Sequence, residues 1–289
     1  MATATLGNPT DLSDRERAAI EALLFRLADD EFVAAERYTD WQVRSPTLES
    51  DLALSNIAQD ELGHARLWYD LLEDFEHTES ALIYERAAGE WRHNTMSELP
   101  FGEGDWADAI VRTYLYDTAE AIRLEALVES AYPRIRDRVE KVIREEDYHR
   151  QHAESWLSRL ASDEEGQQRL QSAVDRLLPY GLTIFAPMGD VEADIDDLGL
   201  RTETLESMRE TWLDTVVPHL EGLGLHVEDA QLPEQYDVHH EAMELPDELG
   251  RDGTHTDSWD ELLEEFTFAY RDLGRTTTTE IMADPDDVE

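Results

Sequence analysis

The chain of 289 residues contains no cysteine and, among its 24 basic side chains, a single lysine, Lys141. The first absence excludes a disulfide framework and any thiolate metal site, so a metal would have to be held by histidine and carboxylate groups. The second belongs to a charge balance of 24 basic against 68 acidic residues, a formal net charge of −44. A surface that negative repels phosphate backbones and anionic headgroups, which argues against nucleic acid and membrane as partners. No apolar run approaches the roughly 18 residues of a membrane span. The opening MATATLGNPTDLSDRE has neither a basic nor an apolar leader segment, so the expected location is cytoplasmic. Acid excess often marks disorder, yet 41% hydrophobic content, seven Trp and ten Tyr can supply a packed core. The composition fits a halophile's surface, where multimolar salt screens self-repulsion beyond about 3 Å.

Helical periodicity runs through most of the chain and strand alternation is almost absent, which predicts an all-α fold. Four long helices are expected over about 14–43, 48–75, 105–131 and 133–160, with Ser45-Pro46 and Pro133 marking two of the boundaries. Each exceeds 20 residues, and a four-helix bundle over residues 1–162 is the natural architecture. Residues 163–289 form a C-terminal helical extension, expected to pack on the bundle or on a partner subunit. Its shorter helices are predicted over 164–178, 203–220 and 259–273. A Gly- and Asp-rich link, GDVEADIDDLG, separates the first two, a long connection over about 222–258 precedes the last, and an acidic tail follows. A structureless run of that length is unusual inside a compact domain, so it is expected to wrap the bundle or a partner.

The four long helices carry acid on their apolar stripes. Glu31 lies between Ala28 and Ala35, Glu61 and His64 between Ala58 and Trp68, Asp117 between Tyr114 and Ala121, and Glu146 and His149 between Val142 and Ala153. An isolated ionised carboxylate in a core costs several kcal/mol or more, so each of these needs a cation or a proton. Residues three apart on a helix face the same way, so Glu-x-x-His presents one oxygen and one nitrogen to a single ion. Two such motifs plus one carboxylate from each remaining helix make the di-metal carboxylate arrangement of ferritin-like bundles. The intervals match as well, with Glu31 to Glu61 separated by 30 residues and Asp117 to Glu146 by 29. With ten His and 37 Glu in 289 positions, chance alone gives about 1.3 such motifs. Three occur, so the symmetric set carries the inference and no single motif does.

Each residue also has an ordinary structural explanation. Glu36 and Glu120 could serve by composition in place of Glu31 and Asp117, and a lone His64 or His149 could be a satisfied core histidine. Asp60 and Glu145 each precede a ligand Glu and could orient the histidine of the opposite motif or lie exposed. The third motif, Glu90 to His93, falls in the irregular stretch 80–104 and reads as solvated surface. A radical-generating enzyme would want a tyrosine about one turn from a ligand, for which Tyr114 and Tyr148 are candidates.

The segments NIAQDELGHARLWYDLLE, WADAIVRTYLYDTAEAIRLE and REEDYHRQHAESWLSRL resemble the large subunits of bacterial phenylacetyl-CoA 1,2-epoxidase, over roughly residues 15–275. That family has a catalytic subunit with intact metal ligands and a scaffold subunit that has lost most of them. Glu31, Glu61, His64, Asp117, Glu146 and His149 match the catalytic pattern. The segments LGLRTETLESMRETWLDTVVPHL and THTDSWDELLEEFTFAYRDLG look more like the scaffold subunit, so a structural role in the same complex is the alternative. The resemblance implies two iron ions, with manganese possible, since hard oxygens with one imidazole per metal suit either. It implies insertion of one oxygen atom from O2 into the ring of phenylacetyl-CoA, electrons from a flavin and iron–sulfur reductase, and an oligomeric complex with a homologous subunit. Rival readings on the same bundle are a benzoyl-CoA epoxidase, a radical generator, a manganese oxidase and an iron store.

Overall fold

The structure, a computed structural model, describes residues 5–42, 44–101, 104–227 and 246–275. Among these, every regular element is helical. The α-helices are α1 (Asp14–Gln42), α2 (Leu48–Glu73), α3 (Thr95–Glu98), α4 (Trp106–Glu125), α5 (Pro133–Leu160), α6 (Glu164–Gly181), α7 (Val191–Asp197), α8 (Leu205–Gly222) and α9 (Asp257–Asp272). α1 packs along α2 and α4 along α5, and α2 meets α5 to close an all-α, ferritin-like bundle.

The helices begin where side chains can take the first unpaired N–H groups. Thr47 accepts from the Ser50 amide, Asp105 from Ala107, Asp163 from Gly166 and Thr204 from Ser207, and Pro133 stands at the start of α5. Each such cap contributes about 1 kcal/mol. α5 buries one stripe only, Ile135, Val139, Val142, Glu146, His149, Ala153 and Leu157, spaced at three and four residues. That spacing keeps a single helix face inward and puts Glu146 and His149 on it. α4 is different, being buried without interruption from Trp106 to Glu120.

The reason is that α4 is covered on both sides, by α5 within the bundle and by α6 and α8 outside it. Leu170, Val174 and Leu177 of α6 and Trp212, Leu213 and Val216 of α8 share one core with Ile110 and Leu115. The Trp212 indole donates to the Leu115 carbonyl at 3.0 Å. A second core lies under α1, α2 and α9, where Phe32, Trp68, Trp91 and Trp259 gather.

Three sequence expectations are corrected. The helix predicted over 105–131 ends at Glu125, because the Ala126 carbonyl is taken by the Thr202 amide at 2.8 Å and the Ala131 amide donates to Gly199 at 2.8 Å. The link GDVEADIDDLG contains α7, which packs on α1 and buries Glu192. The stretch 80–104 is packed, with His93 through Leu99 buried. Of the long connection, 228–245 lies outside the described residues, as does the acidic tail from 276 onward. No helix among the described residues is long and apolar enough to cross a membrane.

Candidate metal centre

Three consecutive acids in the middle of α1, Asp29, Asp30 and Glu31, are all fully buried. A helix turns about 100° per residue, so they leave it on three sides. Asp29 receives Arg86 at 2.6 and 2.9 Å, the Tyr69 hydroxyl at 2.7 Å and the Arg92 amide at 2.8 Å. Asp30 receives Arg123 at 2.7 Å, Arg251 at 2.6 and 2.9 Å, and the Asn94 amide at 2.7 Å. Burial alone would raise the Asp30 carboxyl, but Arg251 and Arg123 outweigh it and hold it at about 2. Glu31 points between the helices, where it meets other acids.

Those acids come from every helix of the bundle. Glu61 and His64 from α2, Asp117 from α4, and Glu146 and His149 from α5 converge on Glu31, and each is at most 1% exposed. They form two overlapping groups whose donor atoms lie within 4.8 Å of one another: Glu31, Glu61, His64 and Glu146 in one, Glu61, Asp117, Glu146 and His149 in the other. Glu61 and Glu146 belong to both. The histidine rings stand 6.3 Å apart between centroids, one in each group.

Both imidazoles are held from behind. His64 Nε2 lies 2.8 Å from Glu145 on α5, and His149 Nε2 lies 3.3 Å from Asp60 on α2. A carboxylate there accepts the Nε2–H hydrogen bond and turns Nδ1 inward, the orientation in which a metal could replace the Nδ1 proton. His64 Nδ1 is 3.2 Å from Glu146 and 3.9 Å from Glu31 and Glu61, while His149 Nδ1 is 3.4 Å from Glu146 and 3.6 Å from Glu61. None of these approaches has the alignment of a hydrogen bond. Both oxygens of Glu31, Glu61, Asp117 and Glu146, and both Nδ1 atoms, have no hydrogen-bond partner.

The electrostatics follow from that crowding. Burial, reinforced by Glu61 and Glu120, pushes the Glu31 carboxyl well above the usual range, and burial with Glu146 does the same to Asp117. Glu146 is the exception. Burial would raise it, but the two imidazoles bring it down to about 2. His64 is raised to about 9 and His149 is raised too, burial being outweighed by Glu146, Glu61 and the outer acids Glu145 and Asp60. A divalent ion or a proton must balance these groups, and the oxygen-rich, two-nitrogen donor set suits iron or manganese.

Glu120 is buried next to the site, 3.3 Å from Arg123. Burial raises its carboxyl to about 7 against the pull of Arg123, and it belongs to neither donor group. Glu36 lies elsewhere, half-buried beside Glu265 and Asp40. Of the two tyrosine candidates, Tyr148 is half exposed and Tyr114 packs on His219 at 4.9 Å. The buried phenols raised by the site's acids, after burial itself, are those of Tyr116, through Glu31, and Tyr38, through Asp117 and Glu61.

The reading of Glu90 and His93 as solvated surface fails for His93. Glu90 is exposed, but His93 is fully buried and its Nε2 lies 2.7 Å from Glu98, whose same oxygen sits 2.7 Å from His255 Nδ1. The Thr256 amide donates to the other oxygen at 2.7 Å, so both oxygens are engaged and the carboxylate clasps the start of α9 to the core. His255 is 157 residues from Glu98, and no local pattern announces the pairing. Arg251 escapes a reading of the sequence for the same reason. It reaches Asp30 because Gly250 carries no Cβ to strike the His93 carbonyl.

The profile of the family described as phenylacetic acid catabolic protein matches residues 4–275. The chain is 29% identical over 219 residues to one of the subunits of the 1,2-phenylacetyl-CoA epoxidase of Escherichia coli (strain K12), covering 73% of this chain and 85% of that relative. It is 26% identical over 237 residues to a second, different subunit of the same enzyme, covering 80% and 76%. With all but its first three and last fourteen residues inside the match, the chain belongs to the phenylacetic acid catabolic protein family.

Proposed function

We propose that this chain is the di-iron subunit of a cytoplasmic multicomponent monooxygenase that epoxidises the aromatic ring of phenylacetyl-CoA, using O2 and electrons from a flavin and iron–sulfur reductase. The observation that carries this reading is the set of inward donor atoms on Glu31, Glu61, His64, Asp117, Glu146 and His149, all buried and all without a hydrogen-bond partner. An unpaired buried carboxylate is too costly to keep unless something is meant to bind it.

His64 with Glu31 would hold one ion and His149 with Asp117 the other, while Glu61 and Glu146, which belong to both groups, would be shared. A pair of irons there supplies the O2-activating chemistry, and manganese is the alternative ion. The protein's own part is to fix the donors. Glu145 and Asp60 orient the imidazoles, and the stripes around them, with Ala28, Ala58, Val142 and Ala153 all buried, keep water from the carboxylates. Similar identity to two different subunits of one enzyme supports assembly with a homologous subunit.

The test is metal analysis of protein expressed in iron-supplemented medium and purified in molar salt. The expected content is close to two ions per chain, and Glu61→Ala or His149→Ala abolishes it. A metal-free protein would instead establish the structural subunit of the same complex. Addition of reductase, NADPH and phenylacetyl-CoA then separates an epoxidase from an iron store, since only the former consumes the thioester.

A further inference from the structure

In a chain with 24 basic residues and a net charge of −44, the least expected feature is a buried concentration of arginine. Arg26 of α1, Arg123 of α4 and Arg201, which precedes α8, line a small cavity whose remaining wall is Leu23, Leu27, Leu127, Leu205 and Met208. The three arginines are at most 5% exposed, and a fourth, Arg251, is buried nearby. Their acids are shared. Glu192 serves both Arg26 and Arg201, Asp30 serves both Arg123 and Arg251, and Asp196 and Glu120 add one contact each, to Arg201 and Arg123.

Three observations point to an anion site. Arg26 Nε and Nη1 and Arg123 Nη2 have no hydrogen-bond partner although both residues are buried. The cavity is small, with room for one body of about the size of a water molecule. Its side-chain wall offers N–H donors, methyl groups and a thioether, with no strong acceptor, so a water molecule would aim its hydrogens at leucine. An ion that only accepts hydrogen bonds suits it better.

We propose that this cavity is a site for a single monovalent anion, chloride in a saline cytoplasm, held by Arg26 Nε and Nη1 and by Arg123 Nη2. The anion offsets the mutual repulsion that, after burial, Arg251, Arg201 and Arg123 impose on Arg26. It also braces α1 against α4 one turn from Asp30 and Glu31. The site does not depend on the metal centre and stands whether or not the chain binds iron.

The experiment compares halide with a large organic anion on the full chain. Thermal unfolding in 1 M sodium chloride should exceed that in sodium gluconate of equal ionic strength by about 3 °C. Crystals grown in sodium bromide should show an anomalous peak between Arg26 and Arg123. Arg26→Lys keeps a cation for Glu192 while removing the forked donors, and it should lose both the difference and the peak. If that variant does not fold, the bromide peak in the unaltered protein decides. Equal unfolding temperatures in the two salts, or a water peak without anomalous signal, would overturn the proposal.

Discussion

Asp30 and Glu31 are neighbours in one helix, equally buried, and opposite in what surrounds them. Asp30 is met by two guanidinium groups and an asparagine, all from this chain. Glu31 is met by carboxylates and by an imidazole whose facing nitrogen is 3.9 Å away. A buried charge whose partners are built into the fold serves the fold. One whose neighbours share its sign is stable only with a cation from outside or a proton, which is what makes Glu31 part of a candidate metal site. One residue of helical rotation separates the two arrangements.

Breaking the first side should have the largest effect. Asp30→Asn leaves Arg123 and Arg251 buried without their shared carboxylate and should cost about 3–5 kcal/mol in denaturant unfolding. Glu31→Gln should change metal-free stability by less than about 1 kcal/mol while metal content falls. Equal costs at the two positions would end the contrast.

The clasp at Glu98 allows the same contrast to be read by pH. Burial raises this carboxyl, but His255 and His93 more than compensate and hold it at about 2, below its ordinary 4.5. A depressed carboxyl contributes stability that is fully present above 4.5 and is lost as pH falls towards about 2. The contribution is about 2–3 kcal/mol. Acid unfolding of Glu98→Gln should lack that component, and an unchanged profile would refute the clasp.

Removing a brace should be milder. Asp60→Ala or Glu145→Ala should weaken metal binding about 10–100-fold with little change in metal-free stability. Equilibrium metal titration measures the first and denaturant unfolding the second. The smallest effect belongs to Glu36, which burial, Glu265 and Asp40 raise to about 7. A raised carboxyl costs nothing below 4.5, destabilises progressively as pH rises from 4.5 towards 7, and costs its full amount above that. Glu36→Gln should therefore stabilise at pH 8 by under about 1 kcal/mol, an effect absent at pH 4.5.

The four bundle helices and the six inward residues are legible in the sequence because helical geometry is local. Glu61 and His64 face one way by spacing alone, and an acid among alanines is visible without knowing the fold. Asp60 and Glu145 can be nominated as braces by the same local logic. What escapes such a reading depends on chain segments far apart. Glu192 reads as part of a connector, and only the packing of α7 on α1 turns it towards Arg26. His93 reads as surface because the rings that cover it, His255 and Trp259, lie on a distant segment. The arginine cavity has no signature at all, since its three arginines, from distant positions, meet only after folding.

The braces behind the two histidines cross between helices, so Asp60-Glu61-x-x-His64 and Glu145-Glu146-x-x-His149 are interlocked. Each five-residue word supplies donors to the candidate centre and also aims the imidazole of the other. A substitution in either word is therefore felt on both helices. A chain that kept only one of the two words would keep a histidine with nothing to aim it.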